Sequence, residues 1–472
     1  MQQYSKITPG IFTALQQIVG EGYIFTDTEH LAGYGHDETE QLVFLPEVVL
    51  KPRTAPEISA IMKLANEHMV PVTPRGAGTG LSGGALPVHG GIILSMERFN
   101  EILAIDERNL QATVEPGVIN EIFKNAVAEK GLFYPPDPAS KGSCFLGGNV
   151  AESSGGPKCV KYGTTKDYIL NLEVVLPTGE IIYTGANTLK NSTGYNLTQL
   201  MVGSEGTLGI VTKIIVKLLP HPKYDLLMLV PFRSLDEACA AVSEVFRSGF
   251  TPSALELMER DALDWVSRYV QSNVVKLEDD IEAHLLIEVD GNDPEVLMKE
   301  MEAIAGLMTR YNIADVLFAD SAAQKNELWR LRRGINEAVK NNAVSKEQDT
   351  VVPRAELPQL VKGVKRVGKK YGFKTVCYGH AGDGNLHIRL IRGDLTEEQW
   401  EGDHIKGAIA EIFTICKELG GTISGEHGIG LVQQEYMGIV FSEKALELQR
   451  SIKHVFDPKN ILNPGKMFGV GA

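Results

Sequence analysis

Apolar and polar positions along this chain fall into two textures, and the change comes near Pro220-His-Pro222. Ahead of it, short apolar runs alternate with stretches dense in glycine. Thr54-Ala-Pro-Glu57 is a capping-box pattern that predicts a helix over 57–68, followed by a short apolar strand at Val70-Pro-Val-Thr73. Ile210 to Leu218 reads as another strand. Behind it, residues 224–320 alternate apolar strands (226–230 and 283–289) with helical stretches (234–248 and 293–311), the pattern of an α+β domain with a mostly antiparallel sheet. Helices are expected over 399–419 and 443–455. Thr375–Tyr378 and Leu386–Leu390 read as two strands of a hairpin turning at Gly382-Asp-Gly384.

Three glycine-rich segments lie in the first half. The first, Arg75 to Gly84, contains Gly78-Thr-Gly-Leu-Ser-Gly83, which satisfies the dinucleotide pattern G-x-G-x-x-G. That pattern needs a helix directly after the glycines, and here a turn and a strand follow. What survives is the physics of the loop: successive backbone N–H groups can converge on a phosphate, with Arg75 adding charge at the edge. Tyr134 to Gly156 and Gly194 to Thr212 are the other two segments. Three such loops in one half of a chain point to a large cofactor.

Composition narrows the function classes. The 472 residues have room for two or three domains, and a formal net charge of -14 disfavours a nucleic-acid surface. No apolar run approaches the length of a membrane span, and the start has no signal-peptide core, so a cytoplasmic protein is expected. The five cysteines, at 144, 159, 239, 377 and 416, are scattered, which excludes a disulfide framework and an iron–sulfur cluster held by clustered thiolates. Electrons from any redox chemistry must then leave through an external acceptor.

Candidate chemistry concentrates near the C-terminus, in Gly379-His-Ala-Gly-Asp-Gly-Asn-Leu-His387 and Ser424-Gly-Glu-His-Gly-Ile-Gly430. A hairpin would bring His380 and His387 together across its mouth, and Glu426 would complete a three-ligand set with open positions, the arrangement of a catalytic rather than a structural metal site. His427 would stand beside it as a base. Zinc, iron(II) and manganese all suit such ligands.

These motifs together resemble a known family. The glycine-rich segments are similar to the FAD-binding half of the vanillyl-alcohol oxidase/p-cresol methylhydroxylase superfamily. The C-terminal motifs, with Asp457-Pro-Lys-Asn-Ile-Leu-Asn-Pro-Gly-Lys466, resemble the branch holding D-lactate dehydrogenases, glycolate oxidase flavoprotein subunits and D-2-hydroxyglutarate dehydrogenases. The resemblance implies an α+β fold: an FAD-binding domain of two subdomains over 1–220, a cap domain with an antiparallel sheet and the metal site over 221–425, and a segment, 426–472, returning to the FAD domain.

By that resemblance FAD is contacted by Arg75, Gly76, Gly78, Thr79, Gly80, Ser82 and Gly83 of the first loop. Pro138, Ser143, Gly147, Gly148, Asn149, Ser153 and Gly155 follow in the second, and Glu205, Gly206 and Ile210 in the third. Asn463 and Lys466 return to the flavin side. The first loop lacks a histidine, so non-covalent FAD is expected. Arg332 matches the family's substrate-carboxylate arginine, and Asn336 lies four residues on, on the same face of a predicted helix. His380, His387 and Glu426 carry over as metal ligands and His427 as the base.

The implied activity is oxidation of a small D-2-hydroxy acid, with glycolate and D-2-hydroxyglutarate as alternatives to D-lactate. The implied acceptor is an electron-transfer flavoprotein, a cytochrome, a quinone or an iron–sulfur subunit. The chain departs from the 2-hydroxyglutarate branch at Arg389, where that branch has Asn, and at Glu347, where it has Lys. Both departures favour a monocarboxylate, although Arg389 is itself a candidate for a distal carboxylate.

Overall fold

The computed structural model describes residues 4–39, 41–275 and 278–469, which separate into two compact units. One comprises 1–155, 164–221 and 426–472, and the other 156–163 and 222–425. Among the described residues no helix is long and apolar enough to cross a membrane.

The first unit holds two main sheets. In one, the strands Val48–Leu50, Ile92–Ser95 and Val72–Arg75 run parallel, and Ile24–Phe25 adds an antiparallel edge. Its central strands are buried almost throughout, which is why they read as continuous apolar runs. The helix Ala55–His68 packs on them through Ile58, Ile61, Met62 and Ala65. It is capped by Thr54 and ended by Met69 in the left-handed region at φ +56°. The Val70 N–H returns to Ala65, so the strand expected from residue 70 begins instead at Val72.

The other sheet is antiparallel, in the order Ile102–Asp106, Gln111–Val114, Ile210–Lys217, Ile169–Val175, Ile181–Tyr183. The chain's last segment joins the first sheet, where Leu462 forms a parallel bridge with Val72. Buried Lys453 fixes that segment by donating to the carbonyls of Thr207 (2.7 Å) and Leu462 (2.8 Å).

The second unit is built on a seven-stranded antiparallel sheet ordered Leu317–Phe318, Tyr224–Phe232, Ala283–Gly291, Ala254–Glu259, Lys374–Gly379, Asn385–Ile391, Ser345–Val351. The α+β class with an antiparallel sheet is as expected. The helix Ala322–Asn342 packs on one face through Leu328, Leu331, Ile335 and Val339 against Met258, Val376 and Tyr378.

The helix expected over 399–419 is broken into Glu397–Glu401 and Asp403–Glu418 at extended Gly402, where a Cβ would lie 2.5 Å from the Glu398 carbonyl oxygen. Residues 156–163, which start at the last glycine of the second glycine-rich segment, group with this unit. Lys161 and Tyr162 both reach the Asp290 carboxylate, at 2.6 and 2.8 Å, and Lys158 pairs with Glu288.

Candidate active site

Strand register gathers charged groups on one face of the second unit's sheet. Antiparallel pairing places Tyr378 opposite His387, Asp349 opposite His387 and Glu347 opposite Arg389. Side chains two apart share a face, so His387 and Arg389 lie with Glu347, Asp349 and Tyr378. Leu257 pairs with Gly379, which sets Glu256 opposite His380 at the end of the same row.

The hairpin expected around Gly382-Asp-Gly384 forms, with a single 3₁₀ turn at Ala381–Asp383. It brings the His380 and His387 rings to 5.4 Å, edge to face. Gly379 must be glycine: its φ is +152° and a Cβ would lie 2.7 Å from the Asn385 carbonyl oxygen.

His380 is 8% exposed, and its Nδ1 lies 2.9 Å from both oxygens of Glu256, which has no exposure. With its proton on Nδ1, the imidazole presents an unprotonated Nε2 suited to a metal. Burial alone would raise the Glu256 carboxyl, but His380 and Arg332 outweigh it and hold the group below the usual carboxylate range. Sequence reasoning missed Glu256. Its signal was a carboxylate between Leu255 and Leu257, in a strand that is apolar elsewhere up to its last residue, Glu259.

Arg332 and Asn336 share a helix face, as their spacing requires, but have different partners. Arg332, 6% exposed, sets Nη2 2.6 Å from Glu256 and lies 5.4 Å from the Tyr378 ring centroid. Its buried Nε has no hydrogen-bond partner among the described residues. Asn336 Oδ1 instead accepts from Arg389 Nη2 and, at 3.4 Å, from the Tyr378 hydroxyl.

Asp349, wholly buried, was likewise missed as a site component. Its Oδ1 accepts from Asn385 Nδ2 at 2.6 Å, and Oδ2 from Ser424 Oγ (3.0 Å) and the Gly425 N–H (2.7 Å). The residues that follow Gly425 are Glu426 and His427.

In the first unit, the first and second glycine-rich loops abut: a Cβ on Gly76 would lie 3.8 Å from Gly148. The third loop meets the first strand where Gly206, at φ +66°, packs on Pro74. Arg75, Gly76 and Ser143 border a cavity of about 770 Å³ that also involves Tyr34, Lys51 and Phe145. A Cβ at Gly78 would lie 2.2 Å from Arg75 Nη2, and its φ is +75°.

Buried Arg75 Nη1, Ser82 Oγ and Asn149 Nδ2 have no hydrogen-bond partners among the described residues. Burial draws the Arg75 pKa down, against the opposing pull of Asp37. A cation and unsatisfied donors beside glycine backbone fit an anionic cofactor such as FAD.

Other residues expected at the cofactor also support the fold. Ile210 lies in the first unit's core, and Gly147 is pressed on Pro116, 2.5 Å from a Cβ placed there. Glu205, itself at φ +51°, accepts from the N–H groups of Ile429 (2.8 Å) and Gly430 (2.6 Å). Asn463 donates to the carbonyls of Gly84 (3.0 Å) and Glu205 (2.8 Å). Burial pushes Lys466 down to about 7. Ser153 adopts the left-handed region, capping the helix Leu146–Glu152.

Comparison with known proteins adds an independent line. Residues 221–467 match the C-terminal domain of FAD linked oxidases, and residues 46–185 match an FAD binding domain. A Bacillus subtilis protein named glycolate oxidase subunit GlcD is 41% identical, with 93% of this chain and 92% of that protein aligned. An Anaerostipes hadrus D-lactate dehydrogenase is 36% identical over 98% of both chains. A Xanthomonas citri D-2-hydroxyglutarate dehydrogenase is 35% identical over 96% of both. Among solved structures, p-cresol methylhydroxylase with substrate bound has the same fold, with a TM-score of 0.80 at 19% identity over 98% of each chain.

Proposed function

From the premise that the chain belongs to the FAD-linked oxidases, and is an FAD-linked oxidoreductase, we propose that it oxidises a small D-2-hydroxy acid to the 2-oxo acid, with D-lactate as the substrate. Relatives named for lactate, glycolate and 2-hydroxyglutarate support the substrate class. The observation that carries the reading is Arg332: a buried guanidinium with an unsatisfied Nε donor, reaching the sheet face that bears His380 and His387.

In this reading Arg332 binds the substrate carboxylate through its planar fork and so orients Cα. His427 takes the hydroxyl proton as a neutral imidazole. His380, His387 and Glu426 would hold a divalent ion (zinc, iron or manganese), which would supply Lewis-acid polarisation of the hydroxyl. Glu256 fixes the His380 tautomer and ring. Bound non-covalently along the three glycine-rich loops, FAD supplies the hydride acceptor at N5. The five cysteines are scattered thiols, four of them buried, so the electrons pass to an external acceptor: an electron-transfer flavoprotein, a cytochrome, a quinone or an iron–sulfur subunit.

The glycolate alternative is favoured by the 41% identity to a relative named as a glycolate oxidase subunit. Both readings are tested by anaerobic flavin bleaching with D- and L-lactate, glycolate and D-2-hydroxyglutarate, with and without chelator. Rapid bleaching by D-lactate that the chelator abolishes is expected. Preferential bleaching by glycolate would replace the substrate, and no bleaching by any of them would remove the 2-hydroxy acid assignment.

A further inference from the structure

Two arginines reach the polar face of the second unit's sheet, each paired with a carboxylate. Arg332 shares one carboxylate, Glu256, with His380, and its Nε remains unsatisfied among the described residues. Arg389, 1% exposed, pairs with Glu347, its directly opposed cross-strand neighbour, at 2.9 Å, and Glu347 Oε1 also lies 3.8 Å from His387 Nδ1. Asn336 accepts from the same guanidinium, and the Tyr378 hydroxyl donates to Glu347 at 3.1 Å. Burial, and then Glu347, push the Tyr378 phenol upward, so it remains a donor.

We propose that the Glu347–Arg389 pair sets substrate selectivity by cancelling the second guanidinium, so that the site accepts 2-hydroxy acids with one carboxylate and rejects those with two. The inference rests on the substrate reading above and names the residues that narrow it. A distal carboxylate brought beside Arg389 would stand next to Glu347 as a like charge away from water, or would have to displace it from a paired, hydrogen-bonded position. The discrimination is built from repulsion, with Glu347 as the repelling group. Asn336 and Tyr378 are positioning residues, which hold the pair closed.

The test is anaerobic flavin reduction of the holoenzyme by D-lactate, with one carboxylate, and by D-malate and D-2-hydroxyglutarate, with two. Wild type should strongly prefer D-lactate. Glu347→Gln keeps an acceptor for Tyr378 but frees the Arg389 charge. It should raise the dicarboxylate-to-monocarboxylate ratio of kcat/KM by ~10-fold or more, mainly through a lower dicarboxylate KM. Glu347→Gln combined with Arg389→Met removes both charges and should reverse that gain, which a general loosening of the site would not do.

An unchanged ratio in a folded Glu347→Gln enzyme would overturn the proposal. So would a gain that persists in the double variant. If Glu347→Gln does not fold, wild type still decides, because equal rates with mono- and dicarboxylates would refute a closed lock. Flavin reduction by none of the three acids would overturn the substrate reading and the inference together, an outcome distinct from the others.

Discussion

The buried carboxylate of Asp349 accepts the backbone N–H of Gly425 at 2.7 Å, tying the start of Ser424-Gly-Glu-His to the strand that lies beside His387. Gly425 permits this approach, because a Cβ there would lie 2.7 Å from Asn385 Nδ2 and from Val351. Asp349→Ala would remove the acceptor of the Ser424 hydroxyl, of the Gly425 N–H and of one N–H of buried Asn385, a loss of ~1–3 kcal/mol where the donor is left away from water. We expect a lower melting temperature and a fall in kcat greater than the fall in FAD content, measured by denaturation, turnover and flavin absorbance. Full activity in Asp349→Ala would show that this tie does not position the proposed base and metal ligand.

Glu256 should act on the proposed metal through His380. Glu256→Gln preserves an acceptor for Nδ1 but removes the charge, and losing such an outer partner typically weakens metal affinity by ~10–100-fold. Elemental analysis after dialysis at graded chelator concentrations should show earlier metal loss than in wild type, with FAD retained. Identical retention would separate Glu256 from metal binding.

Arg332→Lys replaces a planar fork by a point charge. Activity should fall mainly through a raised KM for the hydroxy acid, by ~10-fold or more, because one geometry-fixing hydrogen bond is lost. Steady-state kinetics check this, and an unchanged KM would move the carboxylate anchor elsewhere.

Legibility in the sequence followed distance along the chain. The hairpin of His380 and His387 could be read because its Gly-Asp-Gly turn and both strands are contiguous, and the Thr54 cap could be read for the same reason. Glu256, Asp349 and the Glu347–Arg389 pair could not be assembled, because their meeting depends on register between strands far apart in sequence. Asn336 was placed on the correct helix face, yet its partner, Arg389, lies 53 residues away and emerges only with the sheet. Lys158 and Lys161 meet Glu288 and Asp290 only through the fold, across 130 and 129 residues of chain.

The first unit should carry a pH signature of its own. Burial, reinforced by Glu205 and Asp37, raises the Glu152 carboxyl well above its usual value of 4.5, and its Oε2 has no hydrogen-bond partner among the described residues. A raised folded-state pKa means that the folded protein holds the proton longer than the unfolded chain. The stability this group contributes is therefore full below about 4.5 and is lost as pH rises toward the folded value, by about 1.4 kcal/mol for each pH unit crossed. Glu152→Gln keeps the neutral shape without a proton to lose. Its melting temperature should decline less than that of wild type between pH 5 and the folded-state value, and parallel curves would show that Glu152 does not titrate in this window.

Two glycines of the first loop should fail for different reasons when changed to alanine. At Gly78, φ is +75° and a Cβ would lie 2.2 Å from Arg75 Nη2, so Gly78→Ala conflicts with the protein itself. Left-handed backbone costs a non-glycine residue ~1–2 kcal/mol before the displaced arginine is counted. At Gly80 the backbone is unstrained and a Cβ would meet no heavy atom within 4 Å. If the loop's backbone approaches a phosphate there, the alanine methyl would conflict with the cofactor alone. Gly78→Ala should thus lower the melting temperature of flavin-free protein as well as FAD affinity, whereas Gly80→Ala should weaken FAD binding and leave the flavin-free melting temperature where it was. Undiminished FAD affinity in Gly80→Ala would withdraw that glycine from the cofactor contact and leave Arg75, held by Gly78, as the loop's contribution.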